Sequence, residues 1–135
     1  MILNIGQDNF NYMFHANPLV QYTRNGAVKA IYKRISEVPM GYDAYTVFTY
    51  TWSSTNNQLH TDFEIYSSLE DMEAEANGWE FCNFNIYDVG FPRECGPVNN
   101  VFLEWFSMPG GNYSAQGLTN GASFQLFGGM NYCFM

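Results

Sequence analysis

The sequence has 135 residues, the size of one domain, and is 47% hydrophobic and 13% charged. The apolar fraction is sufficient for a packed core, which excludes a globally disordered chain. Five basic and 13 acidic residues give a formal net charge of −8, which argues against a surface that binds nucleic acid over its whole extent. We divide the chain into an N-terminal arm, residues 1–17, and a single β-rich domain, residues 18–135.

Targeting and membrane-spanning segments are not expected. The first residues lack a basic segment followed by an apolar stretch, as a signal peptide would require. No run approaches the roughly 18 apolar residues of a membrane helix. The expected location is therefore a virion or the cell interior.

Two hairpins are predicted in the first half of the chain. Val20 to Ile35 forms the first, because Asn25-Gly26 supplies the two positive-φ residues of a type I′ turn. The second pairs residues 44–52 with residues 59–66, which are rich in Thr, Val, Tyr, Phe and Ile and flank a polar loop. This pairing would give one apolar face and one mixed face.

One short helix is predicted at about residues 68–77. Residues 67–70 (SSLE) have the pattern of a capping box, and the acidic residues that follow suit the positive end of the helix dipole. Residues 77–78 (NG) predict the C-terminal end. A helix of two to three turns needs a sheet to hold it.

The remaining sequence predicts further short strands. Trp79–Tyr87 and Val101–Met108 carry apolar residues on both faces, and residues 88–100 form a loop between them. Glycines bracket two more segments, Ser123–Phe127 and Asn131–Phe134. About seven short strands and one helix predict a mainly β fold, either an antiparallel β-sandwich or a partly open barrel.

Three cysteines, Cys82, Cys95 and Cys133, are too few for a disulfide scaffold and odd in number. Small buried thiols are the favoured interpretation. A bridge between Cys82 and Cys95 is the alternative, because both flank turn-rich sequence.

The basic residues are concentrated in the first hairpin, as Arg24, Lys29, Lys33 and Arg34. Residues 1–36 hold four basic residues and one acidic residue, a net charge of +3, whereas residues 37–135 hold one and twelve, a net charge of −11. This asymmetry fits a basic solvated face, or a docking surface for an acidic neighbour such as a second copy. The four residues are therefore candidate interaction residues.

Common catalytic and nucleotide-binding signatures are absent from the sequence. His60, Asp62 and Glu64 alternate along a predicted strand and are weak candidates for a metal site or an acid–base pair. The solvent-facing side of a hairpin explains the same spacing. We therefore expect a protein that is not an enzyme and has neither metal nor cofactor.

Two functions fit these features. Scarce charge and strands with aromatic residues on both faces favour a non-enzymatic structural subunit of a multi-protein assembly, most concretely a minor capsid, decoration or tail protein of a virion. Its partners would be other protein subunits, self or hetero, and neither nucleic acid nor membrane. The alternative is a lectin-like module in which Trp52, Tyr50 and Trp79 stack on carbohydrate. A small metal- or cysteine-dependent enzyme is a third.

Overall fold

The computed structural model describes residues 5–85, 88–101, 122–127 and 133–134. Its elements are α1 (Gly6–Ala16), β1 (Leu19–Arg24), β2 (Ala27–Arg34), α2 (Ala44–Thr49), β3 (Phe63–Tyr66), α3 (Leu69–Ala74), β4 (Phe81–Cys82), β5 (Cys95–Gly96), β6 (Ala122–Leu126) and β7 (Cys133–Phe134). The strands form a five-stranded antiparallel sheet in the order β3-β2-β1-β6-β7 and a two-stranded sheet of β4 and β5. The predicted class is confirmed: the fold is mainly β and sandwich-like, and the described strands do not close into a barrel.

The first hairpin is present as predicted. β1 and β2 pair along their length, and the turn residues Asn25 and Gly26 have φ values of 53° and 80°. A type I′ turn requires positive φ at both positions, which asparagine and glycine adopt most readily.

The second predicted hairpin is wrong, because Ala44–Thr49 forms α2 and β3 pairs with β2 instead. The reason lies at the start of α2, where the Asp43 carboxylate accepts hydrogen bonds from the amide and the hydroxyl of Thr46 at 3.2 and 2.7 Å. Asp43 is therefore an N-cap, which favours a helix over the β propensity of the residues that follow. Val47 and Phe48 are then buried on one helical face.

The predicted helix after β3 is confirmed as α3, although it is shorter than residues 68–77. Ser68 is its N-cap, since its hydroxyl accepts a hydrogen bond from the Asp71 amide at 3.1 Å. The helix ends at Ala74, because Glu75 has a left-handed φ of 52°. None of its residues is buried, so α3 packs less closely than expected. Within the described part of the chain, no helix combines the length and the hydrophobicity needed to cross a bilayer.

The later strands are shorter than predicted. β4 is the strand described within Trp79–Tyr87, and the predicted loop at residues 88–100 contains β5. β6 overlaps the predicted segment Ser123–Phe127, and β7 lies within the last predicted segment. The strand predicted at Val101–Met108 falls, from residue 102 onward, outside the described residues.

Cys82 and Cys95 face each other across β4 and β5 and form a disulfide. The favoured expectation of free thiols is therefore wrong for this pair, and the alternative is correct. A two-stranded sheet of this length is marginal on its hydrogen bonds alone, so the disulfide holds it together.

An aromatic core covers one face of the five-stranded sheet, with Phe48 of α2 at its centre. The Phe48 ring centroid lies 4.8–6.2 Å from those of Phe10, Phe14, Tyr32, Trp52, Phe91 and Phe124. Helix α1, within the segment predicted as an arm, contributes Phe10 and Phe14, and both are fully buried. Aromatic pairs of this kind add about 0.5–1.5 kcal/mol each beyond the area that they bury.

The opposite face of the sheet is also buried along β1 and in the middle of β2. Ile31 is fully buried, and Gln21 and Thr23 are nearly so. The Gln21 side-chain amide donates to the Gln125 carbonyl oxygen at 2.9 Å, and the hydroxyls of Thr23 and Ser123 share a hydrogen bond of 2.6 Å. The opposite face is thus covered along β1 and at Ile31 of β2, whereas residues 27–29 are exposed and Lys33 is half-buried.

Candidate functional site

A groove of about 450 Å³ lies beside β3, at the edge of the sheet. We call it the His60 groove. It is lined by Lys33, Ile35, His60, Glu64, Tyr66, Glu75, Gly78 and Glu80. Three of these residues are glutamates, so the groove concentrates negative charge on a surface that has few charges in total.

Three segments bring these side chains together. Glu64 and Tyr66 alternate along β3 with core residues and therefore lie on the other face of the sheet. Lys33 of β2 is directly opposite Glu64 in the register. Residues 78–80 run beside β3, because the Trp79 amide donates to the Ile65 carbonyl at 2.8 Å, and this places Glu80 near the turn that precedes β3.

His60 lies between two carboxylates. Its Nδ1 is 2.6 Å from Oε1 of Glu64, and its Nε2 is 3.3 Å from Oε2 of Glu80. Burial lowers the pKa of His60. The hydrogen bond to Glu64 and the charges of Glu64 and Glu80 raise it by more, so the pKa of His60 is above 6.5. The protonated imidazole can donate to both carboxylates at once, so the groove holds a cation of its own.

The backbone of the turn before β3 fixes the position of His60. His60 has a left-handed φ of 71°, and its amide donates to the Phe63 carbonyl at 2.8 Å. A positive φ is uncommon for a residue other than glycine, and here the hydrogen bonds of the turn hold it. Among these, the Asp62 amide donates to the Gln58 carbonyl at 2.8 Å, and the Gln58 amide donates to the Asp62 carboxylate at 2.9 Å.

Asp62 is therefore a structural residue of the turn. Its carboxylate also accepts from the Ser36 hydroxyl at 2.7 Å and lies 3.8 Å from the Arg34 guanidinium. Burial raises the pKa of Asp62, but the hydrogen bonds from Gln58 and Ser36 and the charge of Arg34 lower it to a value below its usual range.

Of the three weak metal candidates, the structure brings His60 and Glu64 together and leaves Asp62 apart. It adds Glu80, which is 20 positions beyond His60 and which no local pattern in the sequence links to it. Among the described residues, no group of three or more His, Cys, Asp or Glu side chains could hold a metal ion.

The four candidate interaction residues do not form one surface, and Arg34 is the clearest exception. It is 7% exposed, and its guanidinium lies 5.2 Å from the centre of the Tyr42 ring and donates to the Tyr32 hydroxyl at 3.4 Å. Burial raises the pKa of Tyr32 and raises that of Tyr42 to about 12, so both phenols are neutral. Asp62 balances the buried charge of Arg34, so this charge stabilises the fold and is not presented to a partner.

Lys29 is presented by a β-bulge near the end of the first hairpin. Tyr22 faces Ala30 and Thr23 faces Val28, so Lys29 is an extra residue without a partner in the register. Its side chain is exposed and forms no ion pair with the described residues. Bulges often re-aim a side chain at the margin of a sheet, and here the re-aimed group is a cation.

The remaining two basic candidates lie at different ends of the hairpin. Arg24 is half-buried at the end of β1, next to the turn. Lys33 is half-buried and lines the His60 groove. The first hairpin thus has an exposed end that carries Lys29 and an opposite end where Lys33 lines the His60 groove.

The three predicted sugar-stacking residues are not assembled into an open aromatic surface. Trp52 and Trp79 are 2% and 3% exposed. The Trp52 ring stacks on Phe84 at 5.7 Å, and the Trp79 indole N–H donates to the Ser67 hydroxyl at 2.8 Å. Tyr50 is half-buried. Neither tryptophan offers a ring face on which a pyranose could stack.

Comparisons with known protein families, with curated proteins and with solved structures found no match to this chain. The fold and groove define a mainly β domain with an acidic groove at its sheet edge. Function is therefore inferred from the groove, the bulge at Lys29 and the surface of the chain itself.

Proposed function

We propose that this protein is a non-enzymatic structural subunit of a multi-protein assembly, with a virion component as its most concrete form. The observation that carries the proposal is a set of exposed apolar side chains on a chain with few charges. Met40 is fully exposed, and Val98 and Tyr12 are 75% and 67% exposed, while only 13% of the residues are charged. Charge keeps small monomers apart, and exposed apolar groups favour contact with a partner.

The loop from β2 to α2 best fits a contact, because it carries two of the exposed apolar side chains. Ile35, at its start, is 49% exposed, and Met40 lies at the turn of the loop. Methionine is flexible and polarisable, and it adapts to apolar partner surfaces. Ile35 also lines the His60 groove, so apolar and charged contact groups are neighbours here.

The strands predicted with apolar residues on both faces, Trp79–Tyr87 and Val101–Met108, do not carry the proposal, because residues 86–87 and 102–108 lie outside the described residues. The lectin-like alternative loses its support as well, because its two tryptophans are buried. The proposal therefore depends on the exposed apolar side chains.

The native mass as a function of concentration and salt tests the proposal. We expect light scattering after size exclusion to give a mass above 15.5 kDa that rises with concentration. Met40→Ser should lower this mass at a given concentration, whereas Leu69→Ser, a matched change at a 44% exposed residue of α3, should not. A mass of 15.5 kDa at every concentration would contradict a self-assembling subunit.

A further inference from the structure

The His60 groove is acidic and the bulge at Lys29 is basic. β2 contributes to both, because it carries Lys33 in the groove and Lys29 on the bulge. Lys33 lines the groove, and Lys29 is four residues away along β2, a distance of roughly 13 Å. Lys29 does not line the groove of its own chain. A chain that carries both a cationic projection and an acidic receptor can bind a second copy of itself.

The groove has a net negative charge in either state of its histidine. Glu64, Glu75 and Glu80 provide three carboxylates against the single ammonium of Lys33. The net charge is therefore −2 with neutral His60 and −1 with protonated His60. The Glu80 side chain is 73% exposed and can reach an incoming cation.

We propose that the His60 groove of one copy receives the Lys29 side chain of a second copy. This inference rests on the proposed function, since it names the partner and the contact within the assembly. The lysine stem would pack along Ile35 and Tyr66, and its ammonium would bind the carboxylates of Glu75 and Glu80.

His60 competes with the incoming lysine. Protonated His60 already neutralises Glu64 and Glu80, at 2.6 and 3.3 Å. The groups that face it are Glu64 and Tyr66 of β3, Glu75 after α3, Glu80, and Lys33 of β2. Loss of the His60 proton frees a charge of −1 for Lys29, so the association should strengthen as the pH rises through the raised pKa of His60.

A purely protective role for Lys29 makes the opposite prediction. β3 pairs with β2 only as far as Tyr66 opposite Ile31, so residues 27–30 of β2 extend beyond it among the described strands. A lysine at such an edge prevents pairing with the edge of another sheet. If that were its role, removing the charge would increase association, whereas a docking lysine predicts a decrease.

Charge reversal and complementation test the contact. Lys29→Glu and Glu80→Lys should each shift the dimerisation constant at least tenfold toward monomer, as measured by sedimentation velocity at low salt. An equimolar mixture should recover a heterodimer, because Glu80→Lys retains Lys29 and Lys29→Glu retains an intact groove. Glu73→Lys is the matched control, since Glu73 is exposed on α3 and does not line the groove.

The outcomes separate this inference from the proposed function. Wild-type assembly that neither variant alters, or variants that fail to complement, would overturn the docking of Lys29 while leaving the structural-subunit proposal in place. Stronger association of Lys29→Ala, which removes the charge, would overturn it in favour of edge protection. A monomeric wild type would overturn both the docking of Lys29 and a subunit that assembles with itself. His60→Gln should remove the pH dependence of association as the pH rises above about 6.5, and an unchanged profile would refute the competition.

Discussion

One carboxylate, that of Asp43, ties α1 to α2, and its removal should destabilise the domain. It accepts hydrogen bonds from the amide and hydroxyl of Thr46 at 3.2 and 2.7 Å. It also accepts from the side-chain amides of Gln7 and Asn11, at 2.7 and 3.0 Å. Asn11 accepts in turn from the Tyr45 amide at 2.8 Å. Asp43→Ala therefore removes the N-cap of α2 and two polar links to α1 together.

The expected loss follows from the surroundings of each bond. An N-cap contributes about 1 kcal/mol. The bond from half-buried Asn11 adds about 1 kcal/mol, and the bond from exposed Gln7 adds a few tenths. Asp43→Ala should thus lower the free energy of unfolding by about 2–3 kcal/mol, a large share of the roughly 5–15 kcal/mol of a typical domain.

Urea unfolding at pH 7 measures this loss. Asp43→Asn keeps one acceptor oxygen and the ability to cap the helix. Its loss of unfolding free energy should therefore be about half of that of Asp43→Ala. Asp8→Ala is the control, because Asp8 is an exposed acid in the first turn of α1. A loss for Asp43→Ala no larger than that of the control would refute the reasoning.

The pH dependence gives a second check on Asp43. Burial raises its pKa, but the hydrogen bonds from Asn11, Thr46 and Gln7 lower it below 3.8. A lowered folded pKa gives stability that is present above the unfolded pKa and is lost as the pH falls through the folded pKa. The stability gap between wild type and Asp43→Asn should therefore be full at about pH 6 and shrink below about pH 4.

Three further changes test other parts of the structure. Replacing Cys82 and Cys95 together by serine should lower the free energy of unfolding by about 3 kcal/mol, because the disulfide spans 13 positions and closes a loop. In urea unfolding, a reducing agent should lower the midpoint of the wild type and leave the midpoint of the variant unchanged. Gly96→Ala should destabilise by about 1–3 kcal/mol or more, since its methyl group would overlap the Asn99 backbone carbonyl; a melting temperature equal to wild type would contradict the described path of this loop. His60→Gln should lower the melting temperature at pH 5.5 and lower it much less at pH 9. The reason is that a raised folded pKa gives stability that is present below the unfolded pKa and is lost as the pH rises through the folded pKa. An equal effect at both pH values would rule out a charged interaction.

Local signals in the sequence were sufficient where two to four residues determine the backbone. Asn25-Gly26 predicted the first hairpin because a type I′ turn depends on those two positions. The serine-capped start of α3 was predicted within one residue for the same reason. In both cases the tertiary structure selected the conformation that the local residues already favoured.

Prediction failed where distant parts of the chain decide the outcome. Residues 44–49 have high β propensity, but α2 is stabilised by Asp43 at its cap and by Phe10 and Phe14 of α1 against Phe48. Glu80 joins His60 through the hydrogen bond of the neighbouring Trp79 to β3, a contact that no spacing rule encodes. Only three residues of the groove were predicted from the sequence: His60 and Glu64 as weak metal candidates, and Lys33 as an interaction candidate.

The basic residues of the first hairpin show why composition alone cannot define an interface. Reversing all four would include Arg34, whose guanidinium is buried beside Tyr42 and Asp62. Removing one partner of a buried ion pair typically destabilises by about 3–5 kcal/mol, so loss of assembly in such a variant would follow from unfolding. Lys29 is exposed on a bulge and can be reversed without disturbing the core. A single charge at Lys29 therefore tests docking, whereas the hairpin's total charge does not.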